Sequence, residues 1–221
     1  MPNSRYYTLL SSLFVALLIV SNVIAVKIGS FGGYFLPVAV VVFPVSYIFS
    51  DVITEVYGFA AMRTVIWTGF LGNLIVVLAI ALAIAIPAAP FFEGQDAFMQ
   101  VLGSTPRILV ASFAAYLVGE FANAIILAKM KVSMKGKLLP VRTIISTIIG
   151  EGLDSAIFIT LAFWGGFPPA VVGMMILTQW AFKVLFETLA TPFTYALVQY
   201  LKKTESIDHY DTHTRFNPIS L

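Results

Sequence analysis

The chain contains no cysteine. Disulfides, thiolate metal sites and cysteine nucleophiles are therefore excluded. Histidine is nearly as scarce, and the two that occur, His209 and His213, both fall in the polar C-terminal stretch. Charge is sparse too, at 11% of residues against about 25% in an average soluble domain. No His-Glu-x-x-His occurs and no apolar run holds a histidine, which excludes a zinc protease of that type. Neither a Gly-x-Ser-x-Gly elbow nor a Walker A loop is present. Gly150-Glu151-Gly152-Leu153-Asp154 comes near the Gly-x-Gly-Asp pattern of intramembrane aspartyl proteases. Its aspartate is one residue late, however, a displacement of roughly 100° around a helix. The sequence thus assigns no catalytic residue, no metal ligand set and no cofactor, and the chain is not expected to be an enzyme.

What is abundant is apolar surface. Hydrophobic residues make up 59% of the 221, and mean hydropathy is +0.94. No water-soluble fold hides that much, so the class is all-α, a polytopic membrane protein. Six apolar runs can be marked, at about 7–28, 35–57, 64–87, 106–128, 142–164 and 170–200. Each reaches the roughly 20 residues that cross a bilayer as a helix. The first run follows Arg5 but is too long for a signal-peptide core and lacks a clear small-residue cleavage site, so it is read as a retained span. Basic residues fall at Arg5, Arg63, Lys129, Lys131, Lys135, Lys137, Arg142, Lys202 and Lys203, whereas the 88–105 connection holds Glu93 and Asp96. Since Lys and Arg mark the cytoplasmic side, six transmembrane helices with both termini cytoplasmic are expected. Pro44 is expected to kink the second span and Pro192 the last, and 88–105 has room for a short interfacial helix. The expected organisation is a transmembrane unit over 1–201 and a polar cytoplasmic tail over 202–221.

Six of the eleven acids lie inside the runs: Asp51, Glu55, Glu120, Glu151, Asp154 and Glu187. A carboxylate near a bilayer centre costs roughly 2.5 kcal/mol or more, so such groups usually mark pathways or relays. The fourth and fifth runs repeat one local pattern, Gly119-Glu120 with Asn123 and Gly150-Glu151 with Asp154. Counted inward from Lys129 and Arg142, Glu120 and Glu151 each lie about 13 Å deep at 1.5 Å per residue. Antiparallel neighbours would bring them to one level, with Gly119, Gly150 and Gly152 allowing close approach. Helical spacing puts Tyr47, Asp51, Thr54 and Glu55 on one face, Tyr116, Glu120 and Asn123 on a second, and Thr147, Glu151, Asp154 and Phe158 on a third. Gln179, Lys183 and Glu187 share a face of the last span, and Asn22 is the polar point of the first. Span length leaves open whether water reaches Asp51 and Glu55, and Arg107 would also suit a snorkelling position at the outer interface. Buried acids outnumber buried bases. Either a cation is bound, or some acids hold protons, or a substrate supplies donors.

Taken together, Ser21-Asn22, the stretch from Ser50-Asp51 through Thr54-Glu55 to Tyr57-Gly58, Tyr116, Gly119-Glu120, Ser146-Thr147, Gly150, Asp154-Ser155, Phe158, Lys183, Pro192 and the tail Asp208-His209-Tyr210-Asp211 resemble the queuosine precursor transporter family, also called the vitamin uptake transporter family. The resemblance implies import of a 7-deazaguanine, 7-cyano-7-deazaguanine or its aminomethyl analogue, across a bacterial cytoplasmic membrane for transfer-RNA modification. The residues suit such a ligand independently. One carboxylate accepts a paired N–H and amino group, asparagine amides donate or accept, and aromatic rings stack on a flat bicycle. The candidate substrate site is therefore Asn22, Tyr47, Asp51, Tyr116, Glu120, Asn123, Glu151, Asp154, Phe158 and Lys183, with Glu55, Arg107 and Glu187 as gating or ion-pair residues. Expected partners are a small deazapurine and the lipid bilayer, not nucleic acid, and a homodimer is allowed. The alternative is a six-span substrate-binding subunit of an ATP-driven uptake complex.

Overall fold

The computed structural model describes residues 4–31, 34–103 and 106–219. Its helices are α1 (Arg5–Ile24), α2 (Phe43–Tyr57), α3 (Phe59–Ala85), α4 (Gln95–Leu102), α5 (Pro106–Ser133), α6 (Leu139–Phe163) and α7 (Pro169–Glu205). The architecture is all-α, and α1, α3, α5, α6 and α7 are long and apolar enough to cross a bilayer. The short, exposed α4 fills the position left for an interfacial helix between the third and fourth crossings.

The second crossing departs from a single helix over 35–57. A short antiparallel hairpin follows α1, pairing β1 (Ile28–Phe31) with β2 (Tyr34–Pro37), and a 3-10 turn over Val38–Val41 leads into α2. Pro44 does not kink this crossing. It stands in the first turn of α2, where its missing N–H costs no helical hydrogen bond. α2 alone spans about 22 Å at 1.5 Å per residue, and the 3-10 turn adds about 8 Å at 2.0 Å per residue.

Contacts at one end of the bundle fix the topology. Ser4, which caps α1, hydrogen-bonds Glu205 at the end of α7, and Tyr57 at the end of α2 donates to the same carboxylate at 2.5 Å. Arg142 at the start of α6 meets Glu55 in the last turns of α2. The start of α1, the end of α2, the starts of α3 and α6, and the ends of α5 and α7 thus lie together. The basic residues gather there, so this is the cytoplasmic end.

Burial is inverted relative to a soluble bundle. Leu71, Ile75, Leu78 and Leu82 form an exposed stripe on α3 at helical spacing, and Met174, Leu177, Leu185 and Leu189 do so on α7. These faces meet lipid. α2 is the enclosed helix, with Ser50 through Tyr57 all buried against α1, α3, α5 and α7. Because other helices surround it, α2 can carry Ser50, Asp51, Thr54 and Glu55 without exposing them to hydrocarbon.

The tail folds back over this end. Gly58 joins α2 to α3 at φ +87°, a conformation that favours glycine. The N–H of His209 bonds the Val56 carbonyl at 3.1 Å, and Asp211 Oδ2 accepts from the Phe59 N–H at 3.0 Å, capping α3 from the far end of the chain. A side chain at Gly58 would collide with His209. Asp208 is partly buried, which disfavours its charge, but hydrogen bonds from Lys131 and Lys202 outweigh this and hold its carboxyl below the usual range. A depressed folded-state value means stability that is present above the ordinary aspartate range and lost as pH falls through the folded-state value. Acidification below about pH 4 is therefore expected to loosen residues 206–219 before the helices melt. Hydrogen exchange of the tail amides at falling pH measures this, and Asp208→Asn should show the loosened tail already at neutral pH.

Candidate functional site

α5 and α6 pack along their length with Gly119 and Gly150 at the crossing. A Cβ on Gly119 would lie 2.8 Å from the Asp154 Cβ and 3.1 Å from the Gly150 carbonyl oxygen. One on Gly150 would lie 2.7 Å from the Asn123 Cβ. The backbones touch because both residues lack side chains. Gly119→Ala and Gly150→Ala are each expected to destabilise by about 1–3 kcal/mol through overpacking. Gly173→Ala, in open space on α7, should be neutral or slightly stabilising; thermal unfolding in detergent compares the three.

This crossing sets the next residue of each helix, Glu120 and Glu151, at the middle of its span. Both are buried, at 6% and 5% exposure, and near enough to interact electrostatically. The two carboxyls therefore converge at mid-depth, away from bulk water. Lys183 of α7 meets Glu151 from the level of Asp154, one turn toward the outer end of α6. Its ammonium hydrogen-bonds Asp154 and meets Glu151 Oε2 at 2.8 Å, the latter as a charge contact rather than an aligned hydrogen bond. The Tyr47 ring of α2 lies 5.7 Å from the same ammonium, a cation–π distance. Trp180, one turn earlier on α7, donates to the Ile148 carbonyl at 2.9 Å and fixes α7 against α6.

α2 completes the cluster. The Ser50 hydroxyl donates to Glu120 Oε2 at 2.8 Å, and the Asn123 amide donates to Asp51 Oδ1 at 2.8 Å. Asp51 Oδ2, Asn123 Oδ1 and both carboxyl oxygens of Glu187 are buried without a hydrogen-bond partner among the described residues. Asp51 and Glu187 are each 1% exposed and close enough to feel each other's charge. The chamber thus gathers four carboxyls, those of Asp51, Glu120, Glu151 and Asp154, with Lys183 the one ammonium paired to any of them among the described residues, while Glu187 of α7 interacts with Asp51 from beside it.

Other candidates stand apart. Tyr116 is near Glu120, but its hydroxyl donates to the Ile66 carbonyl of α3 at 3.0 Å. The Asn22 amide donates to Leu18 in its own helix at 3.1 Å. Phe158 packs edge-on against Phe163 toward the outer end. Arg107 donates to the Leu161 and Trp164 carbonyls at 2.6 and 2.5 Å, capping the C-terminal end of α6. Glu55 lies outside the chamber in a cytoplasmic ion cluster, bidentate to Arg142 at 2.5 and 3.1 Å and bonded to Lys202 at 2.7 Å. Lys131 and Asp208 join this cluster, the two meeting at 2.5 Å.

Sequence reasoning missed Arg142, which it read as a loop marker, and Ser50 as the donor to Glu120. The available signal for Arg142 was Glu55 itself: a carboxylate inside an apolar run near the cytoplasmic end requires a countercharge at that level. An apolar surface groove of about 450 Å³ between α6 and α7, lined by Pro140, Ile144, Thr188, Thr191, Pro192 and Tyr195, contains none of the chamber residues.

Chemically, the cluster combines the carboxyl acceptors of Glu120 and Asp51 with the Lys183 ammonium and the buried Tyr47 ring. Comparison with known proteins agrees with a transport role. The family described as "Putative vitamin uptake transporter" matches residues 37–197. A curated protein of Bacillus subtilis (strain 168), "Probable queuosine precursor transporter", is 24% identical over 157 residues, covering 71% of this chain and 69% of that protein. No solved structure matches. The matched region runs from Pro37, the last residue of the hairpin, into α7 and includes every residue of the chamber, and the chain belongs to the vitamin uptake transporter family.

Proposed function

We propose that this multi-pass membrane protein imports a queuosine precursor, 7-cyano-7-deazaguanine or 7-aminomethyl-7-deazaguanine, across a bacterial cytoplasmic membrane, binding it in the mid-membrane chamber. The observation that carries the reading is the free acceptor capacity of Glu120 beside the orphaned Asn123 Oδ1, one turn apart on the same helix face. A deazaguanine offers an N1–H and an adjacent amino group, which a carboxylate accepts as a pair. Asp154 is already held by Lys183, so Glu120 takes this role. An ammonium carries three donors, and Lys183, whose aligned hydrogen bond goes to Asp154, directs a remaining one to the carbonyl oxygen. Tyr47 flanks the bicycle. The name of the Bacillus relative supports the substrate class.

The test is uptake of labelled 7-cyano-7-deazaguanine into bacteria that lack their own carrier and any ATPase partner complex. Expression of this chain alone should produce uptake that 7-aminomethyl-7-deazaguanine competes with and adenine does not, because adenine presents a different donor edge. Absence of uptake, or uptake only with co-expressed ATPase subunits, removes the reading.

A further inference from the structure

We infer that Asp51 and Glu187 form a proton-binding site between α2 and α7, separate from the Glu120 acceptor, and that the proton they exchange drives import. α2 and α7 pack directly against each other. Three of the four carboxyl oxygens, Asp51 Oδ2 and Glu187 Oε1 and Oε2, are buried with no hydrogen-bond partner among the described residues. The fourth, Asp51 Oδ1, accepts only an uncharged amide, that of Asn123. No ion pair joins either carboxyl to a base among the described residues.

The charged groups around the pair are all otherwise committed or acidic. From α2, Glu55 is held by Arg142 and Lys202. From α5, Glu120 faces the pair with Asn123, and from α6, Glu151 does so. On α7 itself, Lys183 is engaged by Glu151 and Asp154. Two buried carboxylates without hydrogen-bonded bases, near enough to interact electrostatically, repel each other and have lost their hydration. A proton on either carboxyl removes one of the two charges and turns an orphaned oxygen into a donor.

The coupling follows from the Asn123 amide. Asn123 bonds Asp51 and lies one turn from Glu120 on the same helix face, so a ligand on that face bears on the hydrogen bond Asp51 depends on. Pro192 lies just past Glu187. It has no N–H for the Thr188 carbonyl, which leaves α7 a point of bending beside the pair. In each cycle one proton enters the pair from outside with the substrate, the singly protonated pair, one charge lighter, allows the chamber to reorient, and the proton leaves to the cytoplasm. The proton site stands on its own geometry; its role in deazaguanine import rests on the proposed function.

Two measurements test this. Infrared spectra of the purified protein at neutral pH, without ligand, are expected to contain the C=O stretch of a solvent-shielded carboxylic acid, lost in both Glu187→Gln and Asp51→Asn. Persistence of that band unchanged in both variants overturns the site. In proteoliposomes, an inward proton gradient should drive 7-cyano-7-deazaguanine above equilibrium in the wild type. Glu187→Gln should keep counterflow exchange and lose the accumulation entirely. Accumulation driven by sodium instead, equilibration with no response to the gradient, or full accumulation by Glu187→Gln overturns the coupling. Absence of any counterflow in the wild type would instead defeat the substrate assignment, and the infrared band still decides the proton site.

Discussion

Glu55→Gln is expected to destabilise the protein by about 3–5 kcal/mol, the range for removing one partner from a buried ion pair. The Glu55 and Arg142 side chains are both 0% exposed, and Lys131 and Lys202 point at the same carboxylate. Without Glu55, Lys131 and Lys202 keep only Asp208, whose side chain is 41% exposed, and Arg142 keeps no acidic partner among the described residues. The loss falls chiefly on Arg142, because the Lys202–Asp208 part of the cluster is reached by solvent and screened. Glu55 also joins α2 to α5, α6 and α7 through these partners, so its removal loosens the cytoplasmic end as a unit. Urea or thermal unfolding in detergent measures the change. The double variant Glu55→Gln with Arg142→Met should recover part of it, since neither leaves a buried charge facing the other's vacancy; a strictly additive double variant would contradict the pairing.

Glu120→Gln carries the largest expected effect on transport. A hydrogen bond to a charged acceptor contributes about 1.5–3 kcal/mol, and Glu120 is assigned two of them. Glutamine keeps one neutral acceptor and turns an N–H2 toward the substrate's own donors. A loss of about 2.7 kcal/mol is roughly 100-fold in affinity. Uptake at low substrate should fall by that factor while the folded protein persists, because Ser50 can bond either end of the amide. Asp154→Asn should behave in the opposite way. It weakens the hold on Lys183, so stability falls more than substrate affinity does. Near wild-type uptake by Glu120→Gln would remove this residue from the site.

The crossings and their sidedness were legible because hydrocarbon demands about 20 apolar residues per helix and because basic residues stay on one side. Glu120 and Glu151 were legible for a related reason, since carboxyls at matched depth in adjacent antiparallel runs have few places to go other than toward each other. The hairpin was not recognised. Val38 to Val42 reads as a continuation of the apolar run, and Gly29 and Pro37 were the weaker counter-signal. Arg142 was read as a marker of the membrane edge because a lone base before a span looks the same whether it turns outward or inward. Its partner lies 87 residues away, a separation no local pattern encodes. Tyr116 and Asn22 illustrate the reverse problem. Helical spacing placed their faces correctly, but a carbonyl within reach on α3 or on α1 itself engages each polar group.

The central proposal is that the water-shielded cluster of α2, α5, α6 and α7 holds a deazaguanine through Glu120. The most direct measurement is the melting temperature of the purified protein with and without 7-cyano-7-deazaguanine, for the wild type and Glu120→Gln. A ligand at about 100 times its Kd stabilises the native state by roughly 2.7 kcal/mol. The account predicts a clear upward shift for the wild type and none at the same concentration for Glu120→Gln. No shift in the wild type, or an equal shift in both proteins, would contradict it.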